Sequence, residues 1–477
     1  MSQQEQTISA RKIPESKKER SIDFSLPIWK TMIPFLIPLI FSNALQSLGG
    51  TVSSVLIGKQ LGENALAAAS TVFPLTFFLI SFVIGLGSAS SVLIGQAFGS
   101  RNTEKMKETV GTSLTFSFIL GVISLIIGWL FSDQLLSLMG ISEEIKSDSS
   151  KFMHVLFTGL PFLFPYVIYT TLLRGTGDSK TPFYFLVVST TLTILLTPLF
   201  LFGWGVPQMG LEGAALAQII ASLVTFILLI LYLFKVQHPL ALDKDTLKML
   251  KLNPQILRLM VKIGLPTSIQ MVVISVSELA IVTFVNHFGA KATAAYGVIN
   301  QVINYVHIPS MSLSIAVGIF GAQLIGANLQ EKLEELIKTT VWLNYVVGGF
   351  LTILIYVFSR PILSMFLTDP STIDITQKSL FFTLWAFTVL GHAVILSGLM
   401  RSSGTVFWPT AIIIATILLV EIPCAFVFSR LFGLYGVWMA YPVSYFATLL
   451  GQYIYYRKYW KGKRHQQFFE QPKPANG

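Results

Sequence analysis

Long apolar runs dominate the chain, separated by short polar breaks. A helix needs about 20 apolar residues to cross roughly 30 Å of hydrocarbon. Twelve stretches reach that length: 31–57, 66–96, 109–131, 152–173, 182–203, 211–234, 263–287, 293–325, 339–358, 379–400, 408–429 and 434–456. The pattern predicts an all-α membrane protein of twelve transmembrane helices. The charged stretch 236–260 divides them six and six. The expected layout is a basic tail (1–30), a six-helix bundle (31–235), a linker (236–260), a second six-helix bundle (261–457) and a second tail (458–477). The stretch 132–150, with Glu143, Glu144 and Asp148, reads as a surface connection on the side opposite the linker.

The two halves repeat at a nearly fixed offset of 227 residues. Phe131-Ser132 and Leu136-Ser137 recur as Phe358-Ser359 and Leu363-Ser364. Gly62 recurs as Gly289, and Arg174, Gly177 and Pro182 recur as Arg401, Gly404 and Pro409. Gly210-Leu211-Glu212-Gly213 returns as Gly433-Leu434-Tyr435-Gly436 with the offset slipping to 223. Six spans per half give both halves one orientation, so the bundles should be related by a pseudo-two-fold axis along the membrane normal. Such folds bind substrate near the midplane and alternate access by rocking. Channels can also be built from repeats.

Composition agrees with the bilayer as solvent. Charged residues are 12% of the 477, against about 25% in soluble proteins, and hydrophobic residues are 53%. Mean hydropathy is +0.68. The single cysteine, Cys424, excludes an intrachain disulfide. No histidine begins a His-Glu-x-x-His motif. Neither a Walker-type phosphate loop nor a Gly-x-Ser-x-Gly elbow is present. An enzyme and a single-chain ATP-driven pump are therefore disfavoured. The net charge of +10 is explained by topology rather than by nucleic acid. One alternating set of connections holds only Lys59, Lys146, Lys151, Lys291, Arg360, Lys378 and Arg430, while the other set and the tails hold the rest of the 33 basic residues. That bias places both termini in the cytoplasm. The first 30 residues lack the apolar core of a signal peptide, so the chain is expected to be unprocessed and to reside in a bacterial inner membrane.

Of the 23 acidic residues, two fall deep within spans: Glu278 in the seventh and Glu421 in the eleventh. A carboxylate there costs several kcal/mol unless paired, hydrated or protonated. Both are candidates for ion coupling, to H+ or Na+, and Glu278 would be the metal ligand if the ion is Na+. Either could instead be a hydrogen-bonded structural carboxyl. Glu421 could tie down the kink expected at Pro423 or meet a basic residue. Neutral polar residues provide candidate substrate contacts: Asn43, Gln46 and Ser53 in the first span, Gln270 in the seventh, Asn300, Gln301, Asn304 and Tyr305 in the eighth, and Trp385 and His392 in the tenth. Asn300, Asn304 and His307 share one helix face. Such a stripe lines a cavity or bridges helices. Pro34, Pro38, Pro161, Pro165, Pro266 and Pro309 mark places where spans could bend or unwind. The run from Gly175 to Thr181 reads as a tight turn.

Together these residues resemble the multidrug and toxic compound extrusion family. The likeness covers roughly 28–457. It rests on 51–58 (Thr-Val-Ser-Ser-Val-Leu-Ile-Gly), 93–99 (Leu-Ile-Gly-Gln-Ala-Phe-Gly), 173–182 (Leu-Arg-Gly-Thr-Gly-Asp-Ser-Lys-Thr-Pro), 210–215 (Gly-Leu-Glu-Gly-Ala-Ala), 264–266 (Gly-Leu-Pro) and 433–438 (Gly-Leu-Tyr-Gly-Val-Trp). The resemblance implies two six-helix bundles around a central cleft, and export of cationic amphipathic compounds in exchange for H+ or Na+. The chain departs from it in one respect. The acid usual in the family's first span is Ser53 here, Thr197 stands before Pro198 where one branch has an Asp, and the tenth span has no acid. Coupling is thus expected in the second bundle. The expectation is a monomeric antiporter for small organic cations in a lipid bilayer, with no cofactor beyond the coupling ion. The alternatives are a flippase-like exporter of lipid-linked or anionic molecules, which would need a basic cleft, and a channel or non-transporting scaffold.

Overall fold

The computed structural model describes residues 24–139, 141, 143–203, 205 and 207–470. All regular structure in them is helical. Twelve long rods follow the apolar runs: α1 (Ile28–Leu61), α2 (Glu63–Gly99), α3 (Thr103–Leu138), α4 (Glu143–Gly175), α5 (Lys180–Phe202) and α6 (Gly210–Lys235), then, after the short α7 (Lys244–Lys248), α8 (Pro254–Asn286), α9 (Ala290–Gly326), α10 (Leu333–Val357), and beyond α11 (Ser359–Ser364), α12 (Pro370–Arg401), α13 (Phe407–Thr416) with α14 (Ile422–Phe432), and α15 (Leu434–Tyr455). Eleven of these are long and apolar enough to cross a membrane, α13 and α14 counting as one. The remaining rod, α15, has 22 residues. Its buried side includes Tyr441, Ser444, Tyr445, Thr448 and Gln452, which dilute its apolarity.

The rods overrun the predicted spans because helices continue past the hydrocarbon. Most of 132–150, expected as a surface connection, is the end of α3 and the start of α4. Ser132 and His154 hydrogen-bond there at 2.9 Å, and the Ser150 hydroxyl donates to Asp133 at 2.9 Å. The prolines expected to unwind helices do not interrupt α1, α4, α8 or α9. In α1 the Ser42 hydroxyl donates to Pro38 O, adding a local bond beside the proline. The pitch changes in mid-span at 417–421, where five residues form a wide π turn ahead of Pro423. Proline has no N–H to donate, so the ladder shifts register there.

The duplicated glycines recur in backbone shape as well as position. Gly62 and Gly289 turn the chain between the first two rods of each half at φ of 85° and 91°, a region that disfavours side chains. Gly177 and Gly404 do the same after α4 and α12, at 91° and 77°. After Gly177, the Asp178 carboxylate accepts from the Thr181 N–H at 2.9 Å and its hydroxyl at 2.6 Å, which is the tight turn expected from the sequence.

One core cluster fills the first bundle, formed mainly by α2, α3, α4 and α6. Two fill the second, formed mainly by α8, α9, α10, α12 and α15. The bundles exchange the beginnings of their first helices. Ile256, Met260 and Ile263 of α8 belong to the first bundle's core, and Ile28, Met32, Phe35, Leu36 and Leu39 of α1 to a core of the second. This interlocks the molecule at the end where the linker lies, hereafter the linker end. The linker is itself pinned to the first bundle. Lys107 meets Asp243 at 2.7 Å, and the Tyr169 hydroxyl donates to Leu240 O at 2.6 Å. Asn253 caps α8 while its amide reaches Glu108 at 2.9 Å.

Candidate functional site

Three polar arrangements lie inside the bundle. The deepest surrounds Glu421. The π turn carries this residue inward, where it is 8% exposed. Its Oε1 accepts from the Ser277 hydroxyl of α8 at 3.0 Å and its Oε2 from the Ser444 hydroxyl of α15 at 3.1 Å. Its partners are thus neither a basic residue nor the backbone of the kink. Glu278 follows Ser277, the partner of Glu421, on α8. The Glu278 side chain is open to its surroundings, and its backbone carbonyl accepts from Tyr296 of α9 at 3.4 Å. Tyr296, Trp438, Tyr441, Tyr445 and Phe387 form the adjoining aromatic wall. Ring centroids are 5.4 Å apart for Tyr296 and Trp438 and 5.0 Å for Phe387 and Tyr445. Among the described residues no cationic side chain pairs with either acid. The site therefore holds two carboxyl groups, hydroxyl donors and no built-in counter-charge, a set suited to receiving a proton or a small cation with oxygen ligands. No cluster of three His, Cys, Asp or Glu groups able to hold a metal is found among the described residues.

The second arrangement is the seam between α1 and α9. Asn43 donates to the Ser312 hydroxyl at 3.0 Å, and Asn304 to the Ser47 hydroxyl at 3.2 Å. Further from the linker end, Gly50 of α1 and Gly297 of α9 are exposed, and a methyl added at either would meet nothing within 4 Å. Gln46 is open and Ser53 half-buried on the same helix.

The third arrangement closes the linker end. Gln96 of α2 donates to Ser402 O of the second bundle at 2.8 Å, and Gln323 of α9 donates to Gly175 O of the first at 2.8 Å. Both glutamines are buried. Arg401 reaches across as well, its Nη1 donating to Ser88 at 3.1 Å while its Nε is buried without a partner. Its guanidinium penetrates farther than the chain position of Arg401, at the end of α12, suggested.

The structure thus places Asn43 and Asn304 on one seam, each bonded to a serine of the other helix, and sets Glu421 against Ser277, the neighbour of Glu278. Asn300 lies against Tyr296 near the acids. Other candidates lie elsewhere. His392 hydrogen-bonds Tyr345 of α10 at 3.1 Å, and Trp385 packs 5.9 Å from Phe446. Gln301 donates to Tyr305 within α9 at 3.3 Å, and Gln270 accepts from Thr410 at 3.5 Å. His307, on the Asn300 face, turns its ring to Phe387 at 5.7 Å. Ser277, Ser444 and the three tyrosines escaped the sequence reading. Tyr441, Ser444 and Tyr445 fall at i, i+3 and i+4, a one-face pattern that could have flagged them.

The family model described as MatE matches the chain twice, over 38–199 and 266–427, once in each repeat. The chain belongs to the MatE family. MatE proteins are membrane transporters. A Bacillus subtilis (strain 168) relative, "Probable multidrug resistance protein YoeA", is 50% identical over 440 residues, covering 92% of this chain and 95% of its own. A "FAD transporter" of Shewanella oneidensis is 26% identical over 92% of this chain and 96% of its own. The solved "Crystal structure of MATE in the bent conformation" superposes with a TM-score of 0.84 at 21% identity, covering 94% of this chain and 97% of that one. The MatE fold is therefore the fold of this chain, a multi-pass membrane protein of the multidrug efflux type.

Proposed function

We propose that the protein is a monomeric secondary antiporter that exports cationic, amphipathic compounds in exchange for H+ or Na+. The observation that carries this reading is Glu421 held between Ser277 and Ser444, with Glu278 the next residue after Ser277: two acids within the span region with no cationic partner among the described residues. Two such groups cannot both remain ionised without a counter-ion. A proton or Na+ discharges them, and so does an organic cation lying against the aromatic wall. Occupancy by one disfavours the other, and that competition couples the two fluxes. Ser53 and Thr197 offer hydroxyls where an acid would be needed in the first bundle. The Thr197 hydroxyl donates within its own helix, to Thr193 O at 2.7 Å.

The linker end is assigned to the cytoplasm of a bacterial inner membrane because α1 begins there, α15 ends there, and the basic majority of the described connections lies there. With that end closed by Gln96 and Gln323, this conformer is shut toward the cytoplasm. Relatives named for multidrug resistance support the efflux direction. Arg401 favours a second reading, because its orphaned Nε could serve an anionic substrate. It stands at the end of α12, whereas Glu421 lies about 14 residues up its rod, roughly 20 Å away along the axis. The acids therefore dominate the midplane.

The test is transport in proteoliposomes with a pH gradient in one set and a Na+ gradient in another, using a fluorescent organic cation, a flavin-type anion and empty liposomes. Gradient-driven movement of the cation alone supports the antiporter and names its ion. Movement of the anion alone supports the second reading. No movement of either by folded, oriented protein contradicts the proposal.

A further inference from the structure

The segment after α15, read from sequence as a plain tail, is built into the linker end. A second π turn (456–460) leads into it. Trp460, 4% exposed, donates to the Ser403 hydroxyl at 2.8 Å, and the ring of His465 stacks on it at 4.0 Å. The His465 backbone then exchanges two 2.8 Å bonds with the Gln330 side chain, as a strand would with its neighbour. Gln467 donates to Ile325 O and Gly326 O at 2.9 and 3.1 Å, tying the segment to the last turn of α9. To this point every partner belongs to the second bundle.

The next three residues cross to the first. The Phe468 N–H donates to Gln96 Oε1 at 2.8 Å, on the same side chain whose Nε2 holds Ser402 O. Phe469, 6% exposed, joins the first bundle's core cluster. Glu470 O accepts from Asn102, the cap of α3, at 3.1 Å. A ten-residue strap thus bridges both bundles over the place where they must part for the linker end to open.

We propose that residues 461–470 are a latch on the cytoplasmic gate, and that their release from Gln96 and the Phe469 seat is a step of inward opening. The inference rests on the alternating-access reading above. With Phe469 seated, opening must expose its ring and strand Gln96 Oε1, so the latch biases the resting protein toward the conformer closed at the linker end.

The test is a distance measurement that needs no transport. In a Cys424→Ser background, Glu104→Cys and Glu331→Cys carry spin labels on exposed sites of the two bundles at the linker end. Double electron–electron resonance is recorded in lipid nanodiscs, with and without a fluorescent organic cation. Phe469→Ser and truncation before Gln466 should raise the long-distance population about fivefold or more. Phe469→Leu, which keeps an apolar anchor, and Gln466→Ala, whose side chain is exposed, should match the unmutated strap. Chromatographic homogeneity and melting temperature identify variants that fail to fold. The truncation and Phe469→Ser remove the latch by different routes, so either folded one suffices. Unchanged distances in a folded latch variant overturn the latch while leaving the transport reading intact if dye still moves. A single fixed distance in every variant, with and without dye, overturns both.

Discussion

Gln96 and Gln323 occupy the same position in the two halves and make the same bond in opposite directions, each donating to a backbone carbonyl of the other bundle at 2.8 Å. Between them α2 and α9 cross at Gly99 and Gly326. A methyl on Gly99 would lie 2.2 Å from Gln323 O, and one on Gly326 would lie 2.2 Å from Gln96 O. The pseudo-two-fold relation read from sequence is here a closed interface whose α2–α9 crossing admits only glycine.

Gly326→Ala should therefore wedge the linker end open. The overpacking cost is about 1–3 kcal/mol, all of it in the closed state. Thiol-labelling rates of a single reporter cysteine at the linker end should rise, and those of Gly297→Ala, where space is free, should not.

The α1–α9 seam predicts a modest coupling. Asn43 and Ser312 form one interhelical hydrogen bond, and such bonds average about 0.6 kcal/mol within membranes. A double-mutant cycle of Asn43→Ala and Ser312→Ala, read by denaturation in mixed micelles, should return a coupling of that order. Asn43→Ala with Ser53→Ala, a pair with no bond recorded between them, should be additive.

Asp243 anchors the linker and gives a pH signature. Burial pushes its carboxyl up, but the Lys107 ion pair and the Thr246 bonds outweigh that and hold it at about 2, below its ordinary 3.8. A carboxyl depressed in the folded state contributes stability that is fully present above its unfolded value and is lost as pH falls through the folded one. The melting-temperature difference between the native chain and Asp243→Asn should be constant above about pH 5 and shrink progressively toward pH 2. The group is partly exposed, so the difference should also shrink with added salt.

The twelve rods were legible because a membrane span must be long and apolar throughout, and a duplicated glycine at positive φ leaves the same mark twice. The acids were legible because charge in a span is rare. Their environment was not. Ser277 and Ser444 look like ordinary small residues of membrane helices, and only the π turn at 417–421 brings Glu421 between them. His392 and Trp385 carry the right chemistry on faces turned toward Tyr345 and Phe446, which a single helix period cannot foretell. The strap was hidden by its polar, basic composition, although the adjacent Phe468 and Phe469 in such a tail were a sign of burial.

The central claim is that Glu421 is where the ion and the substrate compete. It is tested most directly by comparing two modes of organic-cation flux through Glu421→Gln in proteoliposomes. One mode is gradient-driven uptake. The other is exchange of labelled for unlabelled substrate with no ion gradient. The account predicts that Glu421→Gln, which keeps the shape and hydrogen-bonding capacity of the side chain but removes its titratable charge, loses gradient-driven uptake about tenfold or more and retains exchange. Gradient-driven uptake by folded Glu421→Gln at the native rate would contradict it.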